Sequence, residues 1–200
     1  MACPCAEDKV NSFCAMLPPE ERKRLCAHAR VIDYAARERV DLSTICDDVA
    51  ILREGVVASN VVLSDSGESS CSFLGVPGDV FNVMRVAGDT QEFCEGFNDA
   101  DYGYVIEPAR CCLVPLAQMR AMVADGAAAQ AVIVQLTNCY KRALSRMYQN
   151  NYDKAENRVR WLIESLDRMG IDAMRLTHEE MARILGMNRV TVTKALQKMF

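Results

Sequence analysis

The stretch Leu176–Leu196, LTHEEMARILGMNRVTVTKAL, decides the reading of this 200-residue chain. Thr177 followed three residues later by Glu180 is a capping box, which starts a helix. Met181, Ile184 and Leu185 give that helix an apolar face at spacings of three and four. Gly186 supplies the left-handed backbone that a sharp turn needs. Asn188 then caps a second helix, in which Val192, Ala195 and Leu196 face inward and Arg189, Thr191, Thr193, Lys194 and Lys198 stay outside. Two helices joined in this way, the second carrying donors, make a helix-turn-helix whose second helix fits a DNA major groove. The same spacing also describes an ordinary helical hairpin, and spacing alone does not separate the two.

The charge distribution separates them further. The chain carries a net charge of −4, but unevenly. Residues 140–200 hold 12 Lys+Arg against 7 Asp+Glu, whereas residues 1–139 hold 11 against 20. A basic module on an acidic body suits a protein that touches DNA with one end. Half of the residues are apolar, enough for a core. No apolar run approaches the ~18 residues of a membrane span. The start, MACPCAEDK, lacks the basic-then-apolar order of a signal peptide, so a cytoplasmic location is expected.

Ten cysteines are many for this length. In a cytosolic chain structural disulfides are rare, which leaves metal, cluster or thiol chemistry for some and small buried hydrophobes for most. Cys26, Cys46, Cys71, Cys94 and Cys139 have no ligand-like spacing and read as core thiols. Cys111 and Cys112 are adjacent, and in a strand they point to opposite faces. His28 and His178 are the only imidazoles. His178, inside the capping box, reads as solvated. No Cys-x-x-Cys near a βαβ pattern, Cys/His dyad, phosphate-binding glycine loop or pair of facing carboxylates is present, which argues against an enzyme.

Along the chain, residues 6–30 read as helical. From Val31 to Pro115 short β-rich runs (31–34, 49–52, 56–63, 71–74, 102–107 and 111–114) alternate with Gly, Asp, Ser and Pro turns, Ser64–Gly67 among them, as in a small all-β sandwich or barrel. Residues 127–150 form a long helix in which Val132, Leu136, Cys139 and Ala143, with Met147 beyond, make a narrow apolar seam near heptad spacing. Such a seam meets a copy of itself or lies on its own β-domain, and periodicity does not choose. A helix over 155–168 carries Trp161, Leu162 and Leu166. The fold class is therefore α+β, with a β-domain over 1–126, a long connecting helix over 127–150 and a helical DNA module over 151–200.

This order, together with particular residues, resembles the CRP/FNR superfamily of bacterial transcription regulators. Leu17–Leu25 is similar to the opening helix, Leu52–Val57 to its "xxSGxV" strand pair, Gly75–Phe81 to its "GPGDxxG" turn, and Leu176–Met199 to its "LTxxELAxxLGxSRxTVxRxLxxL" module. The resemblance implies a cyclic-nucleotide-binding-like jelly-roll barrel, a helix-turn-helix, a homodimer, double-stranded DNA and RNA polymerase as partners, and no catalysis. It places Arg189, Val190, Thr193 and Lys194 against bases and phosphates, with Thr191 and Thr177 as further phosphate donors. Val190 stands where relatives often carry Glu. It touches a thymine methyl at most, so the operator differs at that base pair. Family members continue into a wing, whereas this sequence stops at Phe200.

Cyclic AMP is not the expected effector. The segment after Gly78 has Arg85 as its only cation, no Arg-Ser/Thr pair, and four acids in Asp79, Asp89, Glu92 and Glu95 that repel a phosphate. Oxygen-sensing members hold a 4Fe–4S cluster on three N-terminal thiolates and one in the β-domain. Arg110–Pro115 resembles the element that carries the distant ligand, which implies Cys112 with Cys3, Cys5 and Cys14, although Cys-x-Cys-x8-Cys departs from the family spacing. The alternatives are zinc or thiol oxidation, or a small-molecule effector with no cluster. A lone helical His28 as a haem ligand, and a β-domain whose DNA module has lost its function, are further readings.

Overall fold

The computed structural model describes residues 13–62, 69–88 and 102–199. Two helices open it, α1 (Phe13–Met16) and α2 (Pro19–His28). Six strands follow: β1 (Arg30–Tyr34), β2 (Arg39–Asp41), β3 (Asp48–Val62), β4 (Ser69–Gly75), β5 (Val80–Phe81) and β6 (Tyr102–Pro115). The chain then turns helical, with α3 (Leu116–Ala124), α4 (Ala129–Tyr152), α5 (Ala155–Arg168), α6 (His178–Leu185) and α7 (Arg189–Met199). The α+β order expected from the sequence is therefore present. The parts of the expected first helix before Phe13 and of the Ser64–Gly67 turn lie outside the described residues. None of the described helices is long and apolar enough to cross a membrane.

The strands form one antiparallel sheet in the order β1-β6-β3-β4, with β2 added to β6 and β5 to β3. Among the described residues this pairing is an open sheet rather than a closed barrel. β3 and β6 are each one long strand where the sequence suggested two. The apparent break at Arg53-Glu54-Gly55 is a run of register shifts against β6. Gly55 sits there at φ +86°, and a Cβ on it would lie 2.3 Å from the Pro108 carbonyl oxygen, so the bend needs glycine. A bulge of that kind carries the same residue types as a turn, which is why the sequence showed a gap.

Alternation along β3 and β6 divides the β-domain core in two. Val49, Ile51, Cys112 and Val114 join Phe13, Cys14, Leu17 and Leu25 and the buried sides of α3 and α4. Ala50, Leu52, Cys111 and Leu113 join Phe73, Phe81 and Val105 on the opposite side. Cys111 and Cys112 thus do point to opposite faces.

A third cluster ties the far end of the sheet to the C-terminal helices. Val56, Leu74, Tyr104 and Ile106 pack with Leu162, Leu166, Met181, Ile184, Leu185 and Val192. Each fully buried Leu or Ile there contributes about 1.5–3 kcal/mol of hydrophobic stabilisation. Two arginines of α4 hold the helix to this assembly. Arg142 makes a bidentate pair with Asp79 at 2.7 and 2.8 Å. Arg146 is buried, lies over the Trp161 ring at 3.9 Å, and donates to Gln149 Oε1 at 2.9 Å.

Three of the four residues expected at the seam lie against the chain's own core, and Ala143 is half-buried. Val132 is buried in the chain's own core, and Leu136 and Cys139 pack against it. The apolar face turned to solvent is Ile133, Tyr140 and Met147, exactly a heptad apart in steps of seven, with Leu144 half-exposed between them. The two faces have the same spacing and differ only by a rotation of about 100°.

Candidate nucleic-acid interface

The capping box is complete. Glu180 N–H donates to Thr177 Oγ1 at 3.2 Å, and Glu180 Oε2 accepts from the Thr177 N–H at 2.6 Å and from its hydroxyl at 2.8 Å. α6 ends at Gly186 in the left-handed region, φ 59°. Asn188 Oδ1 accepts from the Thr191 N–H at 2.8 Å, capping the start of α7. Met181, Ile184, Leu185, Val192, Ala195 and Leu196 are all buried, as their spacing requires.

The outer face of α7 presents Arg189, Val190, Lys194 and Gln197 to solvent. Val190 is 61 % exposed, a cost accepted at the surface where a base edge could cover it. Gln197 escaped the sequence reading because it lies beyond the motif positions; one more turn along the exposed face would have found it. Lys198 is exposed but tied to Glu156 of α5 at 2.5 Å.

The three threonine hydroxyls each have a partner within the module. The Thr177 hydroxyl donates to Glu180, and the Thr191 hydroxyl donates to Asn188 Oδ1 at 2.8 Å. The Thr193 hydroxyl donates to the Arg189 carbonyl at 3.0 Å and lies 2.8 Å from His178 Nδ1. A hydroxyl has one proton to give, and each is already used within the module. In the unbound chain these hydroxyls hold the two helix starts and the α6–α7 contact. His178, read as solvated, instead bridges α6 to α7.

Glu180 does a second job that no local pattern reveals. Its Oε1 accepts from the Tyr104 hydroxyl on β6 at 2.8 Å and from Arg37 Nε at 2.9 Å. Burial pushes the Glu180 carboxyl up, but the Thr177 N–H, the Tyr104 and Thr177 hydroxyls and the Arg37 guanidinium outweigh it and hold the group below its ordinary value. Burial and the adjoining carboxylate push the Tyr104 phenol up to about 12. Arg183 lies 5.4 Å over the Tyr104 ring, and Arg175 pairs with Glu107 at 3.5 Å. The first helix of the module is thus latched to the β-domain.

No protein-family model and no curated protein matches the sequence. Solved structures do match. FixK2 from Bradyrhizobium japonicum aligns at TM-score 0.63 and 22% identity, over 86% of this chain and 84% of that one. A protein of the CRP/FNR family from Eubacterium rectale aligns at TM-score 0.69 and 14% identity, over 91% and 83%. CLP from Xanthomonas campestris, a global regulator responsive to c-di-GMP, aligns at TM-score 0.67 and 13% identity, over 91% of each.

The chain has the fold of the CRP/FNR regulators.

Within that CRP/FNR fold the cysteines are placed as follows. Cys14 on α1 and Cys112 on β6 are buried in the same apolar cluster. Cys3 and Cys5 lie outside the described residues. Among the described residues no group of three or more Cys, His, Asp or Glu side chains is arranged to hold a metal ion. Burial pushes the Cys71 thiol up to about 12 and also raises Cys139, which disfavours the thiolate that oxidation or metal binding needs. Asp79, one of the four acids of the effector segment, is neutralised by Arg142, and Asp89, Glu92 and Glu95 lie outside the described residues. On the Cys111 face of the sheet an apolar hollow of ≈20 Å³ is lined by Tyr34, Val40, Leu42, Ile45, Phe81 and Cys111.

Proposed function

We propose that this protein is a CRP/FNR-type transcription regulator that binds double-stranded DNA as a homodimer and contacts RNA polymerase from the bound site. The observation that carries the reading is the exposed Arg189, Val190, Lys194 and Gln197 on α7, projecting from a buried and capped helix pair. Two such modules read half-sites about one helical turn apart. The second copy docks on the α4 face built from Ile133, Tyr140, Leu144 and Met147. Duplex binding that weakens steeply with salt tests the reading. Replacing Arg189 or Lys194 by Ala is expected to lower the slope of log affinity against log salt by about one each. Binding that ignores salt, or that ignores both substitutions, overturns it.

For the effector we propose a 4Fe–4S cluster on Cys3, Cys5, Cys14 and Cys112, making the protein an oxygen or redox sensor. Its support is that the two described members of this set, far apart in sequence, belong to one core cluster beside α4. Thiolates are the donors such a cluster takes, and when bound it would supply oxygen sensitivity. Protein purified without oxygen is expected to contain iron and sulfide and to absorb in the visible, and Cys112→Ser is expected to lose both. Iron-free protein from such a preparation ends the cluster proposal and leaves the DNA reading standing. The hollow beside Cys111 favours a second reading, a small apolar effector with no cluster. At ≈20 Å³ it holds a molecule no larger than a water or a diatomic gas unless the sheet opens.

A further inference from the structure

A helix end leaves carbonyls that need donors from elsewhere. Where α6 ends at Gly186, the chain's own backbone serves two of them. The Met187 N–H donates to the Ala182 carbonyl at 3.0 Å, and the Gly186 N–H to the Arg183 carbonyl at 3.4 Å. The turn is then held by a side chain from another helix. Arg158 Nη2, from the first turn of α5, donates to the Leu185 carbonyl and stands 3.5 Å from the Gly186 carbonyl. A guanidinium suits this place, because its cation meets the negative end of the α6 dipole. Arg158 is half-buried, and burial lowers its guanidinium from the ordinary value, which Asp153 opposes only in part. Two residues earlier on α5, Glu156 pairs with Lys198 at 2.5 Å in the last turn of α7. One turn of α5 therefore grips the recognition helix at both ends, at the bend that launches it and at its tail.

We propose that Arg158 is a positioning residue for DNA recognition: it fixes the angle at which α7 leaves the turn, and so the fit of Arg189, Val190, Lys194 and Gln197 to base edges, without touching DNA itself. The proposal rests on the DNA-binding reading above and adds a residue outside the contact face. Base-edge hydrogen bonds depend on distance and angle, whereas attraction to phosphates follows charge and tolerates a small tilt. Loss of Arg158 therefore removes sequence discrimination before it removes binding. The number of counterions released stays the same, because the guanidinium is spent on carbonyls.

The experiment first selects a preferred duplex from a random-sequence pool with the full wild-type chain. Fluorescence anisotropy over a range of salt then gives the affinity of each variant for that duplex and for a mixed-sequence duplex. Arg158→Met keeps a long stem but has no donor. Its ratio of selected to mixed-sequence affinity is expected to fall by about 10–100-fold, with the mixed-sequence affinity and the salt slope as in wild type. Arg158→Lys keeps the charge and a donor, and is expected to recover part of the ratio. A salt slope smaller by about one in Arg158→Met makes Arg158 a phosphate contact and overturns the positioning role. An unchanged ratio overturns it too, as does an equal loss of both affinities. Should Arg158→Met fail to fold, Arg158→Lys decides: a reduced ratio at wild-type slope supports the proposal, and a wild-type ratio overturns it. A wild-type chain that selects no sequence, or binds without regard to salt, overturns the regulator reading and this proposal with it.

Discussion

Leu144→Asp is expected to give a folded monomer that releases its DNA. Leu144 lies between Tyr140 and Met147 on the solvent face of α4 and belongs to none of the chain's three core clusters. Ile133, Tyr140 and Met147 are 62 %, 67 % and 49 % exposed, a row of large apolar side chains that water covers unless a partner does. Steps of seven along a 24-residue helix are what a two-stranded seam uses. An aspartate in its middle sets two like charges against each other across the seam and strips water from both. Because two linked modules gain from each other's binding, losing the dimer is expected to weaken DNA affinity by about 10²–10⁴-fold. Sedimentation and anisotropy on one sample measure both. The internal control is Val132→Asp, which faces the chain's own core and is expected to unfold the protein instead. A Leu144→Asp protein that stays dimeric places the seam elsewhere.

Glu180→Ala is expected to destabilise the C-terminal module by about 2–4 kcal/mol, adding the loss of a capping box to the stranding of a buried phenol. The Arg37 pair adds little, because that side chain is 65% exposed and solvent screens it. Tyr104→Phe removes a single hydrogen bond and is expected to cost about 1 kcal/mol. Acid offers an independent reading of the same contact. The carboxyl is held below its ordinary value in the folded protein, so its contribution is complete above the unfolded value near about 4.3 and disappears as pH falls through the depressed folded value. The stability gap between wild type and Glu180→Gln is therefore expected to close in that acid window. Denaturant melts at pH 7, 4 and 3 measure it, and a gap that stays constant with pH refutes the charged latch.

What the sequence made legible was local. The capping box, Gly186 and Asn188 define their helices within a few residues, and the structure has each of them in that role. The alternation at Cys111 and Cys112 was equally legible, because pleating alone decides it. What was hidden depended on distant partners. The second role of Glu180 needs Tyr104, 76 positions away. The faces of α4 centred on Val132 and on Ile133 carry the same spacing, and only the sheet's position tells which is inside. The hydroxyls of Thr177, Thr191 and Thr193 look free when counted by type, but each meets a partner three or four residues away. Gly55 looked like a turn because the close approach that demands a glycine there comes from Pro108 on another strand.

The stacking of Arg146 on Trp161 has a practical consequence. The chain contains a single indole, and it sits where the long helix meets the recognition module. Its ultraviolet emission is therefore an unlabelled goniometer for that joint. A tilt of one half against the other is expected to move the guanidinium across the ring, and the change in emission would time that motion in a stopped-flow cell.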